Sequence, residues 1–307
     1  MTLPDSVIEY LQDLKECQRS QKTYKGYYHT LNRCLTILEK GGFTTDPKMI
    51  GRDGIGYLME SFNDLAVSTR HWYMGILGQW LKWHGNTVLE DMRIMWPQDF
   101  RINADWLTPE QATCLMRNAI TPRERMCIAL ELYMGLRRVE ILRLRIQDID
   151  IKHSKMEVRG KGSNGGKWRT VYMPDDVAES IKTWLPIRQE LIDKALAMCP
   201  TSQVPDNLLI WAHFRQIGIY AEHGTGYDKA IIKPVKQRSN IDFSNHTLRR
   251  TFGRSCWLAG VKIETISNIL GHEDVRTTIK YLGIQMDDQK TAMEEVKKWR
   301  QEIEQKV

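Results

Sequence analysis

Long apolar runs are missing from this 307-residue chain. No stretch of eighteen consecutive apolar residues occurs, so nothing reads as a membrane-spanning helix. Paired cysteines are missing too. Cys17, Cys34, Cys114, Cys127, Cys199 and Cys256 are scattered and none forms a C-x-x-C pair, which argues against a disulfide framework and against a zinc site. There is no glycine-rich nucleotide-binding loop, no internal repeat and no low-complexity tract. The opening "MTLPDSVIEYLQDL" is acidic and amphipathic, unlike a secretory signal. The expectation is a reduced, cytoplasmic protein.

What the chain does have is an uneven charge. Residues 1–97 hold eleven basic and eleven acidic side chains, so the whole excess of +6 lies in residues 98–307. It concentrates further: ten basic against four acidic between Arg137 and Thr170, and seven against one between Lys229 and Arg254. Such a surface suits a polyanion, or is simply a solvated positive face.

Hydrophobic content of 42% supplies material for one large domain or two modest ones. Helical spacing runs through residues 4–95. Ile8, Leu11 and Leu14 form one stripe; Tyr24, Tyr27, Leu31, Leu35 and Leu38 form a second that stops at Gly41-Gly42; Leu58, Phe62 and Leu65 mark a third. Ser68 reads as the N-cap of a fourth helix with Trp72, Ile76, Trp80 and Trp83 inward, ended by Gly85-Asn86. A small four-helix domain over residues 1–97 is expected, followed by a linker at 98–105. Thr108 and Pro109 then open a new helix.

The second half is mixed. "TPRERMCIALELYM" is helical, Gly135 interrupts it, and "RRVEILRLR" resumes it. One clear hairpin follows, "KMEVRG" and "KWRTVYM" around the turn from Gly160 to Gly166. Helical patterns return at 175–198, 245–258, 262–270, around Tyr281, and at 287–306, where Met293, Val296, Trp299 and Ile303 share a face. The fold class expected is mainly α with a small antiparallel β-sheet: an N-terminal helical domain, an α+β domain over 106–285 and a C-terminal helix at 286–307.

Several residues have the spacing of a phosphate site. His246 and Arg249 stand three apart near a helix start, where unpaired N–H groups and the helix dipole favour an anion. Arg137 follows the break at Gly135, with Glu140 one turn on to orient it. Lys161 sits at the hairpin tip, where a lysine has little packing value. Singly, each has an ordinary reading as an ion pair, a cap or a solvated turn residue.

Together, the ordered set "GLRRVE", "GKG", "HTLR", "LGHED" and "TTIKY" resembles the tyrosine recombinase (phage integrase) family over residues 106–285. The resemblance implies a catalytic set of Arg137, Lys161, His246, Arg249, His272 and the nucleophile Tyr281, with Glu140 in support. The intervals of 24 from Arg137 to Lys161, 23 from Arg249 to His272 and nine from His272 to Tyr281 are similar to those of compact members. Three departures stand out. Arg138 directly follows Arg137 and rivals it, Arg250 stands where the family commonly has histidine, and the long turn leaves Lys167 as an alternative to Lys161. By the same resemblance residues 1–97 are a core-binding domain that clamps DNA. No arm-binding domain is expected ahead of it, since the helical pattern begins near residue 4.

That chemistry needs such groups. A tyrosine hydroxyl, with a pKa of about 10, is a poor nucleophile at neutral pH. Two arginine forks suit the charge that develops on the phosphate oxygens, each worth roughly 3–4 kcal/mol of barrier. Lys161 can protonate the leaving 5′ oxygen, His246 can take the tyrosine proton, and His272 can donate a hydrogen bond to the phosphate. The resemblance implies no metal and no cofactor, and Asp148 and Asp150 read as structural.

The partners expected are double-stranded DNA recombination sites and a tetramer of this chain on DNA, with 287–307 docking on a neighbour or packing on its own domain. Any accessory DNA-bending protein is left unknown. Lys22, Lys25, Arg33, Arg70 and Lys82 are expected to meet DNA phosphates in the first domain. Arg143, Arg145, Lys155, Arg159, Lys167, Arg169, Lys233, Lys236 and Arg250 are expected to do so around the site. The function expected is site-specific recombination, integrating and excising a mobile element. The alternatives are a chromosome-dimer resolvase, a type IB topoisomerase-like enzyme or a non-cutting DNA-binding protein.

Overall fold

A computed structural model describes residues 4–17, 21–97, 105–160, 166–213, 215–283 and 286–304. The chain divides into two compact units, Met1–Arg101 and Ile102–Val307. Most of the stretch read as a linker, residues 98–104, lies outside the described residues.

The first unit is helical: α1 (Asp5–Glu16), α2 (Gln21–Lys40), α3 (Arg52–Ser61), α4 (Val67–Trp83) and the short α5 (Val88–Asp91). Its core gathers Leu11 and Leu14 of α1, Leu31, Cys34, Leu35 and Leu38 of α2, Leu58 of α3, and Leu77, Trp80 and Leu81 of α4, with Phe62 just after α3. Trp80 donates its indole N–H to the Ser6 carbonyl at 3.3 Å, which ties α4 to α1.

Four details of the expected helices change. α5 is additional to the four. The inward stripe of α1 is Val7, Tyr10, Leu11 and Leu14, which leaves Ile8 half exposed, one residue off the buried face. Trp72 and Trp83 are 49% and 44% exposed, and α4 buries Met74, Ile76, Leu77, Trp80 and Leu81 instead. Both tryptophans have ring partners, Tyr73 for Trp72 and Tyr10 for Trp83. α4 begins at Val67 with Ala66 as N-cap, so Ser68 falls inside its first turn.

The second unit begins with two helices whose starts are written in the sequence. α6 (Pro109–Asn118) and α7 (Pro122–Leu132) each have proline in the first turn and a capping box, Thr108 with Gln111 and Thr121 with Glu124. Every residue of α7 from Met126 to Leu132 is buried, so this helix runs through the core. It packs against α9 (Asp175–Met198) and α11 (Asn245–Leu258). α8 (Arg138–Arg143) lies between α7 and a three-stranded antiparallel sheet, β1 (Ile149–Asp150), β2 (Lys155–Arg159) and β3 (Trp168–Tyr172). Met156 pairs with Val171 on the face turned to the core.

A second hairpin, β4 (Trp211–His213) and β5 (Gln216–Gly218), was not expected. Three-residue strands are too short to show an alternating pattern. A π-helix (Asp228–Ile232) and α10 (Lys233–Ser239) lead to α11, followed by α12 (Ile263–Leu270), α13 (Val275–Leu282) and α14 (Met286–Glu304). α11, α12 and α13 pack together around Ile266, Leu270 and Leu282. Among the described residues no helix is long and apolar enough to cross a membrane.

Candidate active site

The site is built around Glu140, whose side chain is fully buried in α8. Its carboxylate caps its own helix by accepting from the Arg137 backbone N–H at 2.8 Å. It also accepts from the Arg137 guanidinium at 2.8 Å and from both terminal nitrogens of Arg169 at 2.9 and 3.0 Å. Arg249 lies 3.7 Å away as a third cation. Burial pushes the Glu140 carboxyl up, but the hydrogen bonds and charge of Arg169, with Arg249 and Arg137, outweigh it and hold the group below its ordinary value.

Arg249 comes from α11 and is only 2% exposed. Its fork donates to two backbone carbonyls, those of Gly135 and Leu270. Gly135 has φ +64°, which brings its carbonyl to Arg249 where the chain breaks between α7 and α8. A Cβ added there would fall 2.4 Å from Phe252 Cδ1 and 3.0 Å from Leu270 Cδ2. Gly135→Ala should therefore cost at least about 1–2 kcal/mol, from left-handed strain together with overpacking. A urea midpoint unchanged from wild type would contradict this. Burial and the neighbouring Arg137 charge lower the Arg249 pKa to about 10, so it stays charged at neutral pH.

His272 follows the end of α12 at Gly271. Its Nδ1 is 2.8 Å from Thr278 Oγ1 and its Nε2 is 3.3 Å from an Arg249 terminal nitrogen. Burial and the charges of Arg249, Arg137 and Arg169, offset in part by Glu140, pull its pKa down to about 4. A histidine that ordinarily titrates at 6.5 is thus held neutral in the fold. As the pH falls through 6.5 towards 4, the unfolded chain gains a proton that the folded chain does not, so His272 lowers stability across that window. A proton NMR titration should place its midpoint near 4, and a midpoint near 6.5 would contradict this environment.

Tyr281 lies on α13. Its ring meets His272 edge-on at 5.4 Å, and the guanidinium carbons of Arg249 and Arg250 lie 6.0 and 5.2 Å from its centre. Its hydroxyl donates to the backbone carbonyl of His246 at 3.2 Å. Burial raises its pKa, opposed by Arg249, Arg250 and Arg137. α11 and α13 cross closely: a Cβ on Gly253 would sit 2.6 Å from Leu282, the residue after Tyr281.

The structure thus brings Arg137, Glu140, Arg249, His272 and Tyr281 together, with the His246 backbone beside them and its side chain exposed. Arg138 points elsewhere, to Asp228 at 2.6 Å. Lys161 lies outside the described residues. Lys167 pairs with Glu273, next to His272.

Two cations expected to meet phosphates have strong partners within the protein. Arg169 is bound to Glu140 and donates to the Ile269 carbonyl at 3.1 Å, with its side chain 16% exposed. Arg143 makes a two-point pair with Glu222 at 2.6 and 2.7 Å and donates to the Gly160 carbonyl at 2.8 Å, bracing the base of the hairpin turn. Both sit where a buried carboxylate or carbonyl needs a donor. The clue to Arg169 was its place on the inward face of β3, with Val171, where an unpaired charge is costly.

Other expected cations have partial engagements. Arg33 bonds Tyr73 at 3.2 Å, Arg70 bonds Asn63 at 3.2 Å, Lys82 pairs with Glu90 at 2.7 Å, Arg145 with Asp206 at 3.5 Å and Lys236 with Asp242. Arg159 stacks over Trp168 at 5.9 Å. Lys25, Lys155 and Lys233 are exposed, and the Lys22 side chain lies outside the description. Asp150 pairs with His153 and Asp148 accepts from the Arg145 N–H, both local roles. Among the described residues no group of three His, Cys, Asp or Glu gathers as metal ligands.

This arrangement can hold a phosphodiester among arginine forks beside a tyrosine hydroxyl. The tyrosine recombinase XerA of Thermococcus kodakarensis is 27% identical over 194 residues, 62% of this chain and 62% of that protein. The tyrosine recombinase XerA of Saccharolobus solfataricus is 25% identical over 220 residues, 72% and 65% of the two chains. The chain thus spans less than two thirds of the length of these curated relatives. Among solved structures, the Tn1549 transposon integrase in complex with transposon right end DNA has the same fold, with a TM-score of 0.67 and 16% identity over 94% of this chain and 98% of that one. The profile of the phage integrase family matches residues 105–287, which contain every residue of the site, and this chain belongs to that family.

Proposed function

We propose that this protein is a site-specific DNA recombinase that cuts and rejoins duplex DNA through Tyr281. One observation carries the reading. Tyr281 shares a site in its own chain with the Arg137–Glu140–Arg249 cluster, its ring 6.0 Å from the Arg249 guanidinium. A packing tyrosine has no need of that company.

In the forward step the Tyr281 oxygen attacks the scissile phosphorus. The new phosphorus–oxygen bond forms as the bond to the 5′ oxygen breaks, leaving a 3′-phosphotyrosine. The tyrosine proton passes to His246, and Lys161, with Lys167 as its alternative, gives one to the 5′ oxygen. Arg137 and Arg249 hold the phosphate oxygens as charge builds, and His272 donates to them. Glu140 and Arg169 keep the forks in place. Attack by a 5′ hydroxyl from the second DNA reverses the step, so no nucleotide is spent. The raised Tyr281 pKa makes a base necessary.

The partners are duplex recombination sites bound by both units, with Lys25, Lys155 and Lys233 among the phosphate contacts, and the compartment is the cytoplasm. Residues 1–97 act as the core-binding domain and 106–285 as the catalytic domain. Four copies assemble on two sites, and α14 docks on a neighbour. Met293, Val296, Trp299 and Ile303 support this docking, since all four are exposed on one helix. Trp299→Glu should leave binding of a single site intact and remove assembly of paired sites in a native gel. Unchanged assembly would contradict the docking role.

The biological role is integration and excision of a mobile element. A plasmid with two copies of the DNA that flanks this gene should give deletion or inversion products on incubation with the protein. Relaxed circles without rearranged product would assign a topoisomerase instead.

A further inference from the structure

His272 is held at both ring nitrogens, and the two partners differ in kind. At Nε2 the partner is Arg249, whose guanidinium has donors and no acceptor. A hydrogen bond there requires a lone pair on Nε2. The neutral ring then carries its proton on Nδ1, facing Thr278 Oγ1 at 2.8 Å. Thr278 is fully buried, on α13 three residues before Tyr281.

This resting tautomer is the wrong one for the role assigned to His272. An Nε2 that accepts from Arg249 cannot also donate to a phosphate oxygen. The proton has to move to Nε2, and Nδ1 then needs a donor. A threonine hydroxyl supplies either need without moving, since it can accept from Nδ1–H or donate to a bare Nδ1. Valine has the same shape and supplies neither.

We propose that Thr278 is a positioning residue that anchors the His272 ring and, through the two-way capacity of its hydroxyl, lets the proton shift from Nδ1 to Nε2 when a phosphate enters. The inference rests on the recombinase reading for its consequence and on local geometry for its mechanism, so the two can be tested apart.

The first arm is nitrogen NMR of histidine-labelled Tyr281→Phe protein without DNA. The His272 proton is expected on Nδ1. The Nδ1 resonance should move in the added variant Thr278→Val and stay in place in Thr278→Ser. The second arm is single-turnover formation of the covalent complex on the duplex that flanks this gene, in proteins that keep Tyr281. Thr278→Val should be slower by about 10–100-fold, the range for partners that orient a functional histidine. Its DNA affinity should be unchanged, and Thr278→Ser should approach the wild-type rate.

A proton found on Nε2 in the free protein would overturn the proposal. So would a Thr278→Val protein that reacts at the wild-type rate, or serine and valine proteins impaired alike, which would mean that the methyl group matters. If the wild type itself formed no covalent complex while the NMR arm behaved as described, the recombinase reading would fall and the assignment of Thr278 to His272 would stand.

Discussion

Glu140→Ala should destabilise the second unit by about 3–5 kcal/mol, the cost of leaving buried charge without its partner. The carboxylate is fully buried and is shared by Arg137, Arg169 and Arg249, at 2.8, 2.9 and 3.7 Å. Alanine leaves three guanidiniums crowded together with no counter-charge. Glutamine keeps the volume but not the function, because its amide nitrogen would point a donor at donors, so Glu140→Gln should also be strongly destabilised. The pH dependence has a definite sign. The folded-state pKa of Glu140 lies below its ordinary value of 4.5. Its contribution is therefore complete above the unfolded value and is lost as the pH falls through the folded one. The stability gap between wild type and Glu140→Gln, from urea titrations, should be widest at neutral pH and narrow in acid. A gap below about 1 kcal/mol, or one that widens in acid, would contradict the central place given to Glu140.

Arg249→Lys should slow covalent-complex formation by roughly 10²–10³-fold, the loss typical of one fixed donor aimed at developing charge. Charge alone does not suffice here. The guanidinium reaches the carbonyls of Gly135 and Leu270, near Glu140 and the Tyr281 ring, and a lysine has one nitrogen to place among them. The fork also holds His272 Nε2, so the substitution removes two supports of the site together. DNA binding should persist, since it is spread over many phosphate contacts. A lysine variant that cleaves within about tenfold of wild type would mean that Arg249 serves as a point charge, and the fork argument would fail.

Much of the site could be read from the chain because its pairs are local. Arg137 and Glu140 are three residues apart, so a helix start places them together, and the same carboxylate caps that helix. α6 and α7 were legible for the same reason, with cap, proline and acceptor inside four residues. Distance in sequence hid the rest. Arg169 meets Glu140 across 29 residues, from the strand paired with β2, and nothing in a basic segment marks one arginine as the partner of a buried carboxylate. Glu222 meets Arg143 across 79 residues from a region with no clear pattern. The inward face of α4 is not legible in the sequence because tryptophan marks apolar area but not direction. Trp80 is buried, while Trp72 and Trp83 lie beside rings at the surface. Thr278 carries no sign in the sequence that a histidine nitrogen would come to rest against it.

The claim that Tyr281 is the nucleophile is tested most directly by a denaturing gel. Wild-type protein and Tyr281→Phe are each incubated in EDTA with a plasmid carrying the DNA that flanks this gene, and the reactions are stopped with SDS. A protein–DNA band from wild type that is lost in Tyr281→Phe is the expected result. A band that survives in Tyr281→Phe would contradict the assignment, and so would its absence from wild type when salt-sensitive DNA binding is intact.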